Sequence, residues 1–339
     1  MDDSHTEHAV LVMGAGAVGC CLGGQLQAAG VPVWFVGRPR LLGALNDHGL
    51  TLTDLDGKRV QLSAEALHLH AQIPSGCAPA LVLLTVKSGA TAAAAALLGA
   101  ALPAGTPVLS MQNGLSNVAV ASQAAPQLRW LAGMVPFNIV ELAPGHFHRA
   151  SSGVLAAQDD PVLHAYQADF ERAGLPLRLH ADLRALQWGK LLLNLNNPVN
   201  ALSGLPLRAQ LMDRGYRECL AALQTEALQL LRRAGIAPAR VAAVAPQRVP
   251  GLLRLPTPLF RLLAARMLRI DDKARSSMAD DLAQGRATEI DALCGEVVRL
   301  GAAQGLRAPL NARMVALVKA WPQRPQAMDS DSMKAALAI

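Results

Sequence analysis

The chain has 339 residues, of which 52% are hydrophobic, 17% charged and 3% aromatic, which is enough for two domains with separate cores. The net charge of +6 suits an anionic small molecule better than nucleic acid, because the basic residues are scattered and aromatic residues for base stacking are scarce. Five cysteines without paired spacing argue against a disulfide framework and for a reducing cytoplasm. We expect a cytoplasmic protein without a signal peptide or membrane span.

The first elements in chain order form a βαβ pattern. Residues 9–14 are an apolar run typical of a buried parallel strand. Residues 17–29 predict a helix that ends at Gly30, and residues 31–36 predict the second strand. Further strands are predicted at 81–87, 107–112 and 130–135, with a hairpin of 51–54 and 60–63 and edge strands at 145–152 and 175–180. This alternation predicts an α/β fold with a Rossmann-type doubly wound sheet, over residues 1–181.

A glycine motif, Gly14-Ala-Gly16-Ala17-Val18-Gly19, follows the first strand and opens the first helix. Its three glycines permit a tight turn, close approach to a pyrophosphate and packing of the helix on the sheet. The N–H groups of the first helical turn then face the phosphates. We therefore expect a dinucleotide cofactor at residues 14–19.

The end of the second strand indicates which dinucleotide binds. NAD enzymes usually place an acidic residue there for the ribose 2′-hydroxyl, whereas this chain has Arg38. A guanidinium there favours the 2′-phosphate of NADPH/NADP, although it could also be a solvated loop residue. Lys87 and Asn113 follow two further strands at the edge where such sheets bind ligands; the alternative is that each is a turn residue.

After residue 182 the pattern is helical only, and we expect a helical substrate-binding domain over 182–325 and a flexible tail over 326–339. The proline-rich stretch 237–258 predicts irregular structure. The expected helices are 182–197, 212–233, 257–270, 272–284, 288–304 and 309–320.

The most informative helix carries Lys190, Asn194 and Asn197 among leucines. On a continuous helix these three residues fall within about 60° of one another. Burial of an ammonium and two amides is unfavourable unless they bind something specific, so this face predicts acid–base chemistry on a carbonyl or hydroxyl.

A second polar group contains Ser277 and Glu289. On one straight helix they would lie about 18 Å apart, so we expect a bend at Gly285 and a new helix that starts with a capping box at 288–291. The alternative role for Glu289 is purely structural, as an acidic residue at a helix N-terminus.

Together these motifs resemble the ketopantoate reductase (2-dehydropantoate 2-reductase) family. The resemblance extends to about residue 319 and rests on the glycine motif, Leu84-Thr-Val-Lys87, Gln112-Asn-Gly114, Trp188-Gly-Lys190-Leu-Leu-Leu-Asn194, Ser276-Ser-Met278 and Thr288-Glu-Ile-Asp291. It implies a Rossmann domain, a helical domain, an active site in the cleft between them, and reduction of ketopantoate to pantoate with NADPH in pantothenate biosynthesis.

The resemblance also implies roles for single residues. Lys190 is similar to the family's general acid, and Glu289 to the carboxylate that binds the substrate hydroxyl and holds the lysine. Substrate contacts are implied for Asn194, Asn197 and Ser277. Asn113 would lie near the nicotinamide, and Arg38 and Lys87 near the adenosine phosphate.

Several alternatives stay open. Family members often have the second asparagine eight residues after the lysine, whereas Asn197 is seven after it and Asn196 is also available. Residues 246–270 could line the cleft or a homodimer interface. The substrate could be another 2-oxo acid, and a non-catalytic NADPH sensor is the less favoured function. The pairs His68/His70 and His146/His148 lack a third ligand, so we expect no metal.

Overall fold

The computed structural model describes residues 8–241, 243–265, 274–323 and 325–339. The chain forms two compact units, Met1–Leu183 and Arg184–Ile339. The boundary falls two residues after the one expected from the sequence. Among the described residues, no helix is long and apolar enough to cross a membrane.

The first unit is built on an eight-stranded sheet. Its spatial order is β12 (Leu177–His180), β11 (Leu155–Gln158), β8 (Arg129–Met134), β7 (Pro107–Ser110), β6 (Leu81–Leu84), β1 (Val10–Met13), β2 (Val33–Val36) and β5 (His68–His70). The strands from β8 to β5 are parallel, and β11 is antiparallel to β8. Strand β1 lies between β2 and β6, where the strand order reverses, which is the point at which open α/β sheets bind ligands.

Helices connect these strands, as the βα pattern predicted. They are α1 (Ala17–Ala28), α2 (Pro39–His48), α3 (Thr91–Ala101), α4 (Asn117–Ala124) and α5 (Pro161–Arg172). All four residues of β1 and all four of β6 are buried, which explains why these strands read as continuous apolar runs. The predicted α/β class with a Rossmann-type sheet is confirmed.

A second, four-stranded sheet has the order β4 (Arg59–Leu62), β3 (Leu50–Asp54), β10 (His146–Arg149) and β9 (Ile139–Ala143). The predicted hairpin is β3–β4, in which Thr51 pairs with Gln61. The prediction that residues 145–152 extend the main sheet is wrong, because β10 pairs with β3 and β9 instead. Leu52 and Phe147 are buried in the core that also contains α1, so this sheet covers the side of α1 that faces away from the main sheet.

All regular elements among the described residues of the second unit are helices or short 3-10 turns. Its helices are α6 (Arg184–Asn194), α7 (Asn196–Ser203), α8 (Leu207–Met212), α9 (Arg214–Arg233), α10 (Val249–Leu253), α11 (Thr257–Leu263), α12 (Ser277–Ala283), α13 (Cys294–Ala302), α14 (Pro309–Ala320) and α15 (Ser330–Leu337). The long helix α9 contacts α7, α8, α10, α13, α14 and α15, so it forms the centre of this unit.

Several helix predictions need correction. The expected helix 182–197 ends at Asn194, and after Leu195 a separate helix begins at Asn196. The stretch 237–258 is not wholly irregular, since it contains α10. Of the predicted helix 257–270, α11 accounts for the beginning, and residues 266–270 lie outside the described residues, as do 272 and 273 of the helix predicted at 272–284.

The prediction of a flexible tail over 326–339 is wrong. Helix α15 buries Met333 and Leu337 completely, and the Asp329 side chain caps it by accepting from Ser332 N–H at 2.7 Å. Just before it, Met328 N–H donates to the Leu202 carbonyl at 2.8 Å, and its own carbonyl accepts from the Tyr216 hydroxyl at 2.7 Å. Apolar burial, which chain position alone did not indicate, orders this segment.

Candidate active site

The turn after β1 needs glycine at two positions for steric reasons. Gly14 has φ of +110°, and a Cβ on it would lie 2.6 Å from Val86 N. A Cβ on Gly19 would overlap the Gly14 carbonyl oxygen. That same oxygen accepts from the Thr85 hydroxyl at 2.7 Å. The turn is therefore fixed by close backbone contacts, and Thr85 is a support that the glycine spacing alone did not reveal.

Gly16 differs from its two neighbours in the motif, because a Cβ added to it would meet nothing within 4 Å. It is the N-cap of α1 and provides no side-chain hydrogen bond to the helix. The N–H groups of Ala17, Val18 and Gly19 belong to the first turn, which has no intrahelical acceptors. Open space beside the positive end of a helix fits the pyrophosphate of a dinucleotide.

The predicted phosphate contacts, Arg38 and Lys87, are both exposed. Arg38 directly precedes α2, and its carbonyl accepts from the N–H groups of Leu41 and Leu42. Arg38 itself thus lies close after the end of β2. The neighbouring Arg40 forms an ion pair with Glu141 at 3.8 Å, so the two arginines have different surroundings.

Asn113 is half-buried in the loop between β7 and α4. Its carbonyl accepts from the Ser88 hydroxyl at 2.9 Å and from the Asn117 amide at 2.7 Å. Because Ser88 belongs to the loop after β6, these bonds tie two neighbouring loops together at the sheet edge expected to bind the cofactor.

A buried polar network supports this pair of loops. The Gln112 amide nitrogen donates to the Val86 carbonyl and the Thr91 hydroxyl, both at 2.8 Å, and its oxygen accepts from the Ser110 hydroxyl at 2.9 Å. Thr91 in turn donates to Asn117 at 3.1 Å. The sequence motifs did not predict this network, although Gln112 belongs to one of them. A polar residue directly after an apolar strand was the available signal.

Lys190 is the chemically most unusual group of the second unit. It is half-buried on α6, and burial lowers the pKa of its ammonium to about 8, while the negative charge of Glu289 opposes that shift. The two residues are 99 positions apart in the chain, yet the fold brings their charges within interaction range. A lysine with a pKa near 8 is protonated at neutral pH and releases its proton readily.

Glu289 is half-buried at the start of a 3-10 turn, Ile290–Ala292, and α13 begins only at Cys294. The predicted capping box at 288–291 is wrong, because the N-cap of this turn is Glu289 and not Thr288, and no side-chain capping bond is made there. The predicted bend is present, since α12 ends at Ala283 and Gly285 has φ of +62°. Glu289 lies at the N-terminus of this short turn, where an acidic side chain is also favourable for the structure.

The remaining predicted residues lie on three helices. Asn194 is the last residue of α6, Asn197 lies in the first turn of α7, and both are half-buried. Ser277 is exposed as the first residue of α12, whereas its neighbour Ser276 is buried as the N-cap. Lys190, Asn194 and Asn197 were expected to share one face of a continuous helix, and the break at Leu195 contradicts that continuity.

Neither histidine pair lies in a possible metal cluster. Among the described residues, no group of three or more His, Cys, Asp or Glu side chains could hold a metal ion. His146 Nε2 and His148 Nδ1 are both hydrogen-bonded to the Thr53 hydroxyl, at 3.0 and 2.9 Å. This second-sheet contact gives both residues a structural partner.

Comparison with known proteins identifies the family. The model of the family "Ketopantoate reductase PanE/ApbA" matches residues 10–160, and the model of its C-terminal domain matches residues 182–322. The chain belongs to the ketopantoate reductase family. It is accordingly an oxidoreductase of the type that acts on CH–OH groups with a nicotinamide cofactor and a small-molecule substrate.

Individual relatives agree with this assignment. The 2-dehydropantoate 2-reductase of Pyrococcus horikoshii is 27% identical over 320 residues, which cover 92% of this chain and 96% of the relative. The Caulobacter vibrioides enzyme of the same name is 28% identical over 325 residues, with coverage of 92% and 98%.

Solved structures show the same fold. A PanE/ApbA family ketopantoate reductase from Ralstonia eutropha has a TM-score of 0.76 at 30% identity, with 92% of this chain and 97% of that chain covered. A D-mandelate dehydrogenase bound to NADH and anilino(oxo)acetate has a TM-score of 0.75 at 19% identity, with coverage of 96% and 99%. At that identity the second likeness concerns the fold alone.

Proposed function

We propose that this protein reduces ketopantoate (2-dehydropantoate) to pantoate with NADPH, and that Lys190 is the general acid. The observation that carries the proposal is the depressed pKa of Lys190, about 8, beside the charge of Glu289. Reduction of a ketone places negative charge on its oxygen, and an adjacent ammonium both stabilises that charge and supplies the proton. Lys190 then regains a proton from solvent.

The other residues bind and orient. We assign substrate contacts to Asn194, Asn197 and Ser277. We assign Glu289 to the substrate hydroxyl and to Lys190, whose ammonium its charge favours.

The first unit would hold the cofactor, which supplies the hydride when bound. Support comes from the open space at Gly16 and the uncapped start of α1, which suit a pyrophosphate. We assign Arg38 to the 2′-phosphate, Lys87 to the adenosine-phosphate side, and Asn113 to the nicotinamide end and the substrate. All five cysteines are free and buried, which is consistent with work in the reducing cytoplasm.

The test is NADPH oxidation at 340 nm with ketopantoate as substrate, run beside NADH as the alternative cofactor. The oxo-acid panel contains ketopantoate, 3,3-dimethyl-2-oxobutanoate, pyruvate and phenylglyoxylate. The second compound is a matched control, because it lacks only the hydroxyl that we assign to Glu289. We expect NADPH-selective turnover with ketopantoate preferred over this control by at least about tenfold, the value of one hydrogen bond to a charged group.

Each other outcome has a defined meaning. Turnover of a different oxo acid alone would keep the Lys190 chemistry and reject ketopantoate. Equal rates with ketopantoate and its control would reject the hydroxyl contact. Binding of NADPH without turnover of any oxo acid would reject the proposed reaction.

A further inference from the structure

The break at Leu195 raises the question of what orients α7. A continuous helix would inherit its rotation from α6, but α7 starts anew at Asn196. Leu195 between the two helices keeps a right-handed helical backbone, so tertiary contacts add to the chain connection in setting the orientation of α7. Asn197, which we assign to the substrate, depends on that orientation.

A hydrogen-bonded contact of this kind is made by Asn200, which is 0% exposed. Its side-chain oxygen accepts from the Ser276 N–H at 2.9 Å, and its amide nitrogen donates to the Leu205 carbonyl at 2.9 Å. One side chain thus joins the start of α12 to the loop that follows α7. Both of its partners lie just outside regular helices, where backbone groups need a hydrogen-bond partner from elsewhere in the fold.

The Ser276 side chain makes a second contact with α7, one turn before Asn200. Its hydroxyl donates to the Asn197 carbonyl at 3.1 Å and accepts from the Ala279 N–H at 3.2 Å. The N-cap of α12 therefore spans Asn197 and Asn200, which are neighbours on one helix face. Ser277 follows directly, so the same two bonds fix the spacing between the backbones that carry Asn197 and Ser277.

We propose that Asn200 is a positioning residue, which sets α7 against α12 and thereby places Asn197 and Ser277 to bind the 2-oxo acid. This inference rests on the proposed function. An apolar residue at this position would leave the buried Ser276 N–H without a partner and would remove the bond to the Leu205 carbonyl, so the starts of α7 and α12 would separate or rotate.

The test compares Asn200→Leu with a matched control, Asn311→Leu. Asn311 is also 0% exposed in the same unit, but it donates to the Leu223 carbonyl and to Glu226 at the start of α14. Both substitutions replace a buried amide with an apolar group of similar volume. We expect both variants to lose thermal stability. Only Asn200→Leu should raise the KM for ketopantoate, by about tenfold or more, with the Kd for NADPH within twofold of wild type.

A conservative variant separates orientation from general loosening. Asn200→Asp keeps an oxygen that accepts from Ser276 N–H and loses the donor to Leu205. Its KM for the oxo acid should lie between wild type and Asn200→Leu. An equal KM increase in Asn200→Leu and Asn311→Leu, or none in either, would overturn the proposal.

Hydrogen exchange distinguishes failure of this inference from failure of the proposed function. If the wild type reduces none of the oxo acids tested, the proposed reaction fails, but the role of Asn200 can still be measured. Asn200→Leu should then accelerate exchange in residues 196–203 and 276–283 more than Asn311→Leu does. Unchanged exchange in both segments would contradict the positioning role directly.

Discussion

The candidate cofactor groups of the first unit and the candidate catalytic groups of the second unit are positioned by different means. In the first unit the important groups are backbone groups: a glycine turn, an open space at Gly16 and the free N–H groups at the start of α1. In the second unit they are side chains, Lys190 and Glu289, from distant parts of the chain. A site made of backbone groups is formed by consecutive residues. A site made of side chains from distant parts of the chain forms only when the fold packs them together.

This difference changes what a substitution does. At Gly14 or Gly19 an added methyl group meets protein atoms, so the fold is affected first. At Lys190 burial lowers the pKa and so disfavours the ammonium, and we expect removal of the charge to affect the chemistry more than the fold.

The largest effect is expected for Lys190→Met. Without the ammonium the developing charge on the substrate oxygen loses its proton donor, so kcat should fall by roughly 10²- to 10⁴-fold. The Kd for NADPH, measured by fluorescence titration, should stay within about twofold, because the proposed cofactor contacts all lie in the first unit. A kcat near that of wild type would show that another group is the acid.

Substitutions at Gly16 and Gly19 test the proposed cofactor site of the first unit. Gly16→Ala places a methyl group in the space assigned to the pyrophosphate, so we expect weaker NADPH binding, by about 10- to 100-fold, with an unchanged Tm. Gly19→Ala should instead lower the Tm by several degrees, since its Cβ overlaps the Gly14 carbonyl. If both variants lowered only the Tm, the open space at Gly16 would have no role in binding.

The same contrast explains which predictions succeeded. The glycine turn and the strands β1 and β6 were predictable because their constraints are local: positive φ, close packing and burial on both faces. The strand at 146–149 was predicted as a strand but assigned to the wrong sheet, because its alternating residues fit either one. Its partners, β3 and β9, are chosen by burial of Phe147 beside α1.

In the second unit the sequence indicated candidate residues but did not indicate their arrangement. Periodicity placed Lys190, Asn194 and Asn197 on one helix and could not detect the break at Leu195. The hydrogen bond from Ser276 N–H to the Asn200 side chain joins residues 76 positions apart, and no local sequence pattern indicates such a bond. The burial of α15 was missed for the same reason.

Arg38 tests the cofactor assignment, with Arg40 as a control on the same segment. Arg38→Ser should reduce the preference for NADPH over NADH in kcat/KM by about 10- to 100-fold, the value of one charge-assisted hydrogen bond pair to phosphate. Arg40→Ser removes an exposed ion pair with Glu141 and should change that preference by less than about twofold. Equal effects would mean that only the general positive charge of the segment matters.

The pH profile tests the state of Lys190 without a substitution. As pH rises through about 8, the free enzyme loses the ammonium, so kcat/KM should decline about tenfold per pH unit well above that value. NADPH binding followed over the same range separates this decline from loss of cofactor. A profile that stayed flat to pH 10 would contradict the depressed pKa or the role as acid.

The smallest expected effect concerns stability, and it has the opposite sign to the loss of activity. The pKa of Lys190 is about 8 in the folded protein and 10.5 for an ordinary lysine. Below pH 8 the charged side chain is therefore less favourable in the folded state than in the unfolded chain, which lowers the free energy of unfolding. Lys190→Met should therefore be more stable than wild type at pH 7, by on the order of 1–3 kcal/mol. As pH rises from 8 to 10.5 the wild type loses this charge, and the difference in free energy of unfolding should shrink towards zero. Other titrating groups are common to both proteins and cancel in the difference, which urea unfolding at several pH values would measure. A variant that was inactive and also less stable at pH 7 would show that Lys190 stabilises the fold. That result would contradict our expectation that its charge serves the chemistry alone.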